Sequence, residues 1–402
     1  MNRYDFLVVG GGPVGCRAAY KLAKVGHQVA VLEKSPSVGG PVCCTGIVSR
    51  ECLKRFSIPP ELVLKELNSA SIFSPSGKLL RLERSETQAA VIDRGAYNAY
   101  MARQAQDEGV DYKLAHNVTD VTINPDGVVI KADRRGKEEH FEAHALVLAC
   151  GFGSRLPDKL GFGKPRDWTV GAQVEVETKD LSEVEIYPGR DVAPGFFGWL
   201  VPAGGSTALV GLMAQKEADS RLENFIALLK TKGKISAVRG KPTYRGITLM
   251  PPRQTYADRM LLVGDAAGQV KPLTGGGIFF GLLCADMASD TLHSALEAGD
   301  FSASRLSSYQ KEWKGLLGRE LRMGHWAHRL YGSLGEGRLE RLMALAEKKG
   351  LAARLSASPG IGFDWHGSAM LHVMKQVVWP FRKKRPRSDA SDNSPLEVRS
   401  HV

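Results

Sequence analysis

Apolar residues in the first 150 positions fall in short unbroken runs bounded by glycine, as in strands buried on both faces. Residues 4–9 (Tyr4 to Val9) form one such run and predict a buried parallel strand. A helical pattern follows from Cys16 to Lys24, with Ala18, Ala19, Leu22 and Ala23 on its packing side and Gly26 at its end. Residues 28–32 predict a second strand, closed by Glu33. Val91 to Arg94 leads into a helix from Tyr97 to Glu108. A strand pair covers 118–132 with an Asp126-Gly127 turn, and 145–149 is another buried strand ending near Gly151. From Trp168 to Thr248 the pattern turns to alternation, as in Gly171-Ala172-Gln173-Val174-Glu175-Val176-Glu177, which predicts antiparallel sheet. A buried run returns at Met260 to Val263, before a long helix reaching Leu296. Tyr309, Trp313, Leu317 and Leu321 sit at helical spacing within 302–332, a helix expected to pack against the antiparallel part.

The first strand runs straight into Gly10-Gly11-Gly12-Pro13-Val14-Gly15. Gly10 allows the tight turn, Gly12 lets the backbone approach a pyrophosphate, and Gly15 lets the helix pack close to the strand. The helix N-terminus then faces the phosphates. Glu33, about twenty residues on, is placed to accept hydrogen bonds from the adenosine ribose, with Lys34 beside it. Strand, helix, second strand and acid in register define a dinucleotide site, but do not separate NAD from FAD. Gly264-Asp265-Ala266-Ala267-Gly268 and Pro272 to Ile278 favour a flavin. The Asp265 carboxylate suits ribityl hydroxyls. Gly275, Gly276 and Gly277 before a helix would set backbone N–H groups against the negative charge of a reduced isoalloxazine.

The fold class expected is therefore α/β: a Rossmann-like FAD-binding domain with an interleaved antiparallel β-sheet substrate domain and a C-terminal helical part. Residues 1–160 form the first part of the FAD domain, with a small substrate-domain excursion near 60–88. Residues 161–250 form the substrate domain, 251–300 the second FAD part, 301–386 the helical region, and 387–402 a polar tail expected to be disordered.

The chain has 402 residues, 43% hydrophobic and 24% charged, enough for a sizeable core. No apolar run is long enough to span a bilayer, and no signal peptide precedes the first strand, so a cytoplasmic location is expected. Cys16, Cys43, Cys44, Cys52, Cys150 and Cys284 include no C-x-x-C pair and no zinc spacing; all six read as thiols, and no metal is expected. His325 and His328 read as surface or packing residues. The net charge is +11, with a cluster at Arg382, Lys383, Lys384, Arg385 and Arg387. Just before it, Met370, Val373, Met374, Val377, Val378 and Phe381 make an apolar helical stripe. A stripe beside a basic cluster suits the inner face of the cell membrane, so peripheral contact through 370–387 is a candidate and nucleic acid is not. A helix packed on the body of the protein explains the stripe equally well.

Several motifs in order resemble the geranylgeranyl reductase family, within the flavoprotein group typified by p-hydroxybenzoate hydroxylase. They are the glycine fingerprint, Val38 to Gly46 with Cys43-Cys44, Asp93-Arg94, Pro194-Gly195-Phe196-Phe197-Gly198-Trp199, Gly264 to Gly268, and Pro272 to Ile278. The resemblance runs from residue 4 to about 330. It implies FAD held by Gly10, Gly12, Pro13, Val14, Gly15, Glu33, Lys34, Arg94, Gly264, Asp265, Pro272, Gly275, Gly276, Gly277 and Ile278. It also implies an isoprenoid substrate whose double bonds are reduced, lined by Phe196, Phe197 and Trp199, and a cysteine near the flavin, Cys44. A thiol there would supply or relay the proton while the flavin delivers hydride; a small buried packing residue is the competing reading. The chain departs from the family in having Phe197 where tyrosine is usual and Val201 where phenylalanine is usual, so a hydroxyl is missing. Ala149-Cys150-Gly151 lacks the Asp-Gly pair usual in aromatic hydroxylases. Without a second glycine fingerprint, the electron donor is left between NAD(P)H and a ferredoxin, and the oligomeric state is open. An FAD-dependent monooxygenase and an electron-transfer flavoprotein reducing a membrane quinone are the alternatives.

Overall fold

A computed structural model describes residues 2–40, 42–357 and 362–365. The stripe from Met370, the basic cluster and the 387–402 tail lie outside the described residues.

Asn2–Val9 is the centre of an eight-stranded sheet. It pairs in parallel with Val29–Glu33 on one side and Lys137–Leu148 on the other, with Leu7 opposite Leu146. Asp111–Leu114 extends the sheet beyond Val29–Glu33, and Met260–Leu262 extends it beyond Lys137–Leu148, both in parallel. A strand from the far side of a long insertion thus completes the sheet. Its strands are apolar on both faces because helices cover one, at Phe6, Val8, Val31 and Val147, while the other, at Leu7, Val9, Leu32 and Leu148, packs on Val121, Val128 and Ile130 of the strands Asn117–Asn124 and Gly127–Arg134. The helix Pro13–Lys24 buries Gly15, Cys16, Ala18, Ala19, Leu22 and Ala23. These small residues let it approach the helix Ile278–Glu297, where Ser289 Oγ donates to Ala18 O at 3.2 Å and Arg17 Nε meets Asp286 Oδ1 at 2.6 Å. The helix Arg94–Asp107 is N-capped by Asp93, whose Oδ1 accepts from Ala96 N at 2.9 Å.

The alternating segment forms a seven-stranded sheet in the order Ile235–Thr248, Trp168–Thr178, Thr207–Ala214, Phe197–Pro202, Val184–Pro188, Ser69–Phe73, Leu79–Glu83. Only the Val184–Pro188 pairing with Ser69–Phe73 is parallel. Its core joins Val174, Leu200, Val210 and Leu212 to Phe225 and Leu229 of the helix Ala218–Thr231. A third, three-stranded sheet of Ile47–Ser49, Ala89–Ile92 and Val63–Leu67 bridges toward it.

The helix Ala303–Ser333 corrects one expectation. Tyr309, Trp313, Leu317 and Leu321 pack into the core of the parallel sheet and its helices, not against the antiparallel sheet. Buried donors explain the choice: Tyr309 OH donates to Leu262 O at 3.0 Å and Trp313 Nε1 donates to Thr255 Oγ1 at 2.9 Å. Only the last turns reach the antiparallel sheet, where Tyr331 OH donates to Phe196 O at 2.7 Å. Glu336–Lys348 and Leu351–Ala357 follow, the latter against Leu79–Glu83, where Glu83 N donates to Ser356 Oγ at 3.2 Å. Among the described residues no helix is long and apolar enough to cross a membrane.

Candidate active site

A cavity of about 1350 Å³ opens at the C-terminal ends of the parallel strands and continues between the three sheets. This is larger than the roughly 300–1,000 Å³ usual for one small ligand. At its first end lie Gly10, Gly11, Gly12, Pro13, Val14, Glu33 and Lys34. Glu33 is fixed by the backbone, accepting from Gly11 N at 2.6 Å and Ser35 N at 2.8 Å. Gly12 opens to free space: a Cβ there meets nothing within 4 Å, so the backbone is bare to whatever occupies the cavity. Gly15 is different. A Cβ there would lie 2.0 Å from Gly10 O, and Gly15 does not line the cavity; its role is close helix–strand packing. Pro272 is likewise turned away, against Gly324 of the helix Ala303–Ser333.

Arg94 lines the cavity at 9% exposure. Among the described residues its Nε and Nη1 have no hydrogen-bond partner, and neither does the neighbouring Asn98 Oδ1. A buried guanidinium left so calls for an anion. The bare glycine turn, the fixed ribose-type acid and this orphaned cation together fit a dinucleotide pyrophosphate.

Gly264, Asp265, Gly275, Gly276, Gly277 and Ile278 form the next stretch of wall, ending in the N-terminus of the helix Ile278–Glu297. Arg245 Nη2 lies 3.6 Å from Asp265 Oδ2. Cys43 and Cys44 both line the cavity. Cys43 Sγ donates to Thr243 O at 3.4 Å and Gly171 O at 3.5 Å, and burial pushes its pKa up to about 11. Cys44 O accepts from Gln173 Nε2 at 3.3 Å. Burial also raises the Cys150 thiol. All six cysteines are free.

The far arm has Ile47, Leu67, Ala89, Val184, Ile186 and Val201 on its apolar walls, and Asn68, Ser69, Glu83, Arg84 and Gln88 also line the cavity. Phe197 and Trp199 face it, their rings edge to face at 6.3 Å. Gly211 makes room for the Trp199 ring; a Cβ there would fall 2.5 Å from Trp199 Cζ2. Phe196 was expected beside them, but the bend that precedes the strand turns it away from the cavity. It is 1% exposed in the sheet core, stacked on His328 at 4.4 Å. His325 Nδ1 lies 3.7 Å from Asp167, and among the described residues no cluster of three or more His, Cys, Asp or Glu is placed to hold a metal.

Several lining residues were not anticipated. Gln173 shares the polar phase of Glu175 and Glu177 and so reads as solvent-facing, yet it is 4% exposed. Asn98 is hidden in an ordinary helix. Arg245 is visible only through the register that sets it opposite Gly171. Lys271 and Asp364 are brought together across 93 positions.

A parallel-sheet dinucleotide cradle opening into an apolar arm defines an FAD-binding oxidoreductase. Residues 4–184 match the family model described as pyridine nucleotide-disulphide oxidoreductase. The digeranylgeranylglycerophospholipid reductase of Methanocaldococcus jannaschii is 33% identical over 331 residues, covering 77% of this chain and 82% of the relative. This chain belongs to that reductase family. A geranylgeranyl bacteriochlorophyll reductase-like protein of Thermoplasma acidophilum has the same fold, with a TM-score of 0.83 at 24% identity over 94% of this chain and 96% of that one. The halogenase PltM, crystallised with FAD, shares the fold at a TM-score of 0.66 and 16% identity, over 96% and 93% of the two chains.

Proposed function

We propose that this protein is an FAD-dependent reductase that saturates carbon–carbon double bonds of a geranylgeranyl-type chain carried on a lipid. The observation that carries the reading is the continuity of one cavity from Gly12 and Arg94 to the apolar arm at Leu67, Val184 and Val201. The name of the Methanocaldococcus relative supplies the substrate class. On this reading residues 1–160 and 251–300 make the cofactor domain, and 161–250, with the excursion near 60–88, the substrate domain.

FAD, when bound, supplies the two-electron chemistry and is refilled by NAD(P)H or a ferredoxin. Gly10, Gly12, Pro13 and Val14 form its backbone cradle. Arg94 answers the pyrophosphate charge, Glu33 and Lys34 the adenosine end, and Gly264 and Asp265 the ribityl chain. Gly275 to Ile278 set a helix N-terminus where negative charge develops. An isolated alkene is a poor electrophile, so the chain must be held close and water kept out. Phe197, Trp199 and the apolar arm do this by burying the isoprenoid, at roughly 25 cal/mol per Å² removed from water. Cys44 would hold a proton at Sγ and pass it to the alkene carbon that does not receive the hydride, its thiolate being reprotonated from solvent before the next cycle. Peripheral contact with the inner face of the cell membrane through 370–387 belongs to the same proposal, since the lipid resides there.

The test is anaerobic incubation of the dithionite-reduced, FAD-loaded protein with geranylgeranyl-bearing lipids, read by mass spectrometry. Gain of hydrogen pairs in the chain is the expected result. No mass change with FAD bound and reducible would overturn the reading.

A further inference from the structure

One ion pair in the cavity wall has no part in the roles above. Lys271 Nζ meets Asp364 Oδ1 at 2.7 Å, with the side chains 9% and 2% exposed. Among the described residues it is the one ion pair in which both partners are more than nine-tenths buried. Asp364 Oδ2 is buried and has no hydrogen-bond partner among the described residues, and both residues line the cavity. Lys271 is locked to the glycine loop. Its N–H donates to Gly276 O at 3.0 Å, and its carbonyl accepts from Gly275 N at 2.9 Å. A Cβ on Gly276 would lie 3.4 Å from Lys271 Nζ. The ammonium therefore lies against the loop that opens the helix Ile278–Glu297. Asp364 arrives on the short segment 362–365. Trp365 seats that segment: its ring packs on Phe280 at 5.8 Å and Phe279 at 6.4 Å, and its Nε1 donates to Glu51 Oε2 at 3.3 Å.

Buried ion pairs contribute little net stability, because desolvation offsets the attraction, so packing alone does not account for this one. Its place beside the glycine loop does. When two electrons and one proton enter the bound cofactor, supplied by a nicotinamide, a ferredoxin or, in the test, dithionite, the cofactor becomes one unit more negative. A fixed cation on the wall stabilises that charge more strongly than the uncharged form. A carboxylate paired to the cation cancels part of its field. We infer that Lys271 is a cofactor-tuning residue whose ammonium raises the reduction potential of bound FAD, and that Asp364, delivered by the 362–365 segment, is a positioning residue that limits this effect. The inference rests on the FAD reading of the same cavity.

The test is the midpoint potential of the FAD-loaded protein, by dithionite titration against an indicator dye, with the FAD dissociation constant measured beside it. Lys271→Met is expected to lower the potential and Asp364→Asn to raise it. Each shift should be about tenfold in the redox equilibrium, or about 30 mV for a two-electron couple. Lys271→Arg keeps the charge and should stay near wild type. The double variant, Lys271→Met with Asp364→Asn, removes both charges and should return toward wild type. Where Lys271→Met alone fails to fold, the double variant, which leaves no buried carboxylate unpaired, should lie below Asp364→Asn by the contribution of the Lys271 charge. An unchanged potential in Asp364→Asn, with no difference between it and the double variant and with FAD bound at wild-type affinity, would overturn the inference and leave the FAD reading intact. Shifts of the same sign in both single variants would mark a packing effect and overturn it too. Failure of the wild-type chain to bind FAD would overturn the reading itself.

Discussion

Replacing Arg94 with methionine separates a cofactor ligand from a packing residue. The guanidinium is buried, two of its nitrogens have no partner among the described residues, and the Tyr97 ring lies 5.5 Å from its carbon. Such a cation–π contact gives about 0.5–2 kcal/mol, less than the several kcal/mol of an ion buried without a counter-charge. Methionine keeps the apolar bulk and removes the charge. The variant apoprotein should therefore be as stable as wild type, or more stable by about 1 kcal/mol. FAD affinity should fall by about 1.5–3 kcal/mol, the value of a hydrogen bond to a charged group, or roughly 10–150-fold. Linkage makes the contrast visible in thermal melts. At FAD concentrations of 100 times the wild-type dissociation constant, the cofactor stabilises wild type by about 2.7 kcal/mol, whereas a variant binding 100-fold more weakly keeps about 0.4 kcal/mol. Melts with and without FAD, together with a flavin-fluorescence titration, provide the measurement. A variant that loses apoprotein stability by about 2 kcal/mol while keeping the full FAD shift would show that Arg94 serves packing, and would refute the argument.

Cys44→Ser should retain FAD and lose turnover by about 10²-fold or more, the range of a general acid–base contribution, and unchanged turnover at full FAD content would remove the proton role. Trp199→Ala should raise KM for long-chain substrates more than it lowers the rate with short prenyl analogues, as chain-length kinetics would show. Gly211→Ala, whose Cβ would fall 2.5 Å from the Trp199 ring and 2.6 Å from Ala172 O of the paired strand, should strain the sheet as well and lower the thermal midpoint, as melts would show. Cys43 has a folded-state pKa of about 11, above its ordinary value of 9.0, because burial disfavours the thiolate. Its protons are thus held more tightly in the folded state, so its contribution to stability is full below pH 9 and fades as pH rises toward 11. Alkylation by iodoacetamide mapped by mass spectrometry should leave Cys43 unmodified at pH 8, and rapid modification there would contradict the burial argument.

The dinucleotide half of the site was legible because its chemistry is local. Gly10 to Gly15, Glu33 and the buried strand runs each carry their reason within a few residues. The substrate half depends on facing, which a sequence records only through alternation. Phe196, Phe197 and Trp199 stand almost adjacent, and one step along the chain, at the bend that opens the strand, sends Phe196 to the core and its neighbour to the cavity. Gln173 misleads for the same reason: its face is polar at Glu175 and Glu177 but closed over by the Cys43-Cys44 segment at its own position. The helix Ala303–Ser333 shows a different limit. Periodicity identified which residues it buries, but the partner was chosen by hydrogen bonds from Tyr309 and Trp313 to distant groups.

The cavity is also a meeting point of segments that are remote in the chain. Gly12, Cys44, Arg94, Gln173, Trp199, Arg245, Asp265, Lys271 and Asp364 all line it. Several of these segments present charges or bare backbone to the shared space. Buried unpaired charges oppose folding, and a dianionic cofactor placed among them reverses that sign. The same arrangement that makes Arg94 unfavourable in the apoprotein is what, on the proposed reading, suits it to a pyrophosphate. An apolar chain entering the far arm then completes the exclusion of water from the reacting face. Cofactor affinity, protection of the chemistry and the folding stability of this chain are in this way consequences of one distribution of charge, and substitutions along that wall should change all three together.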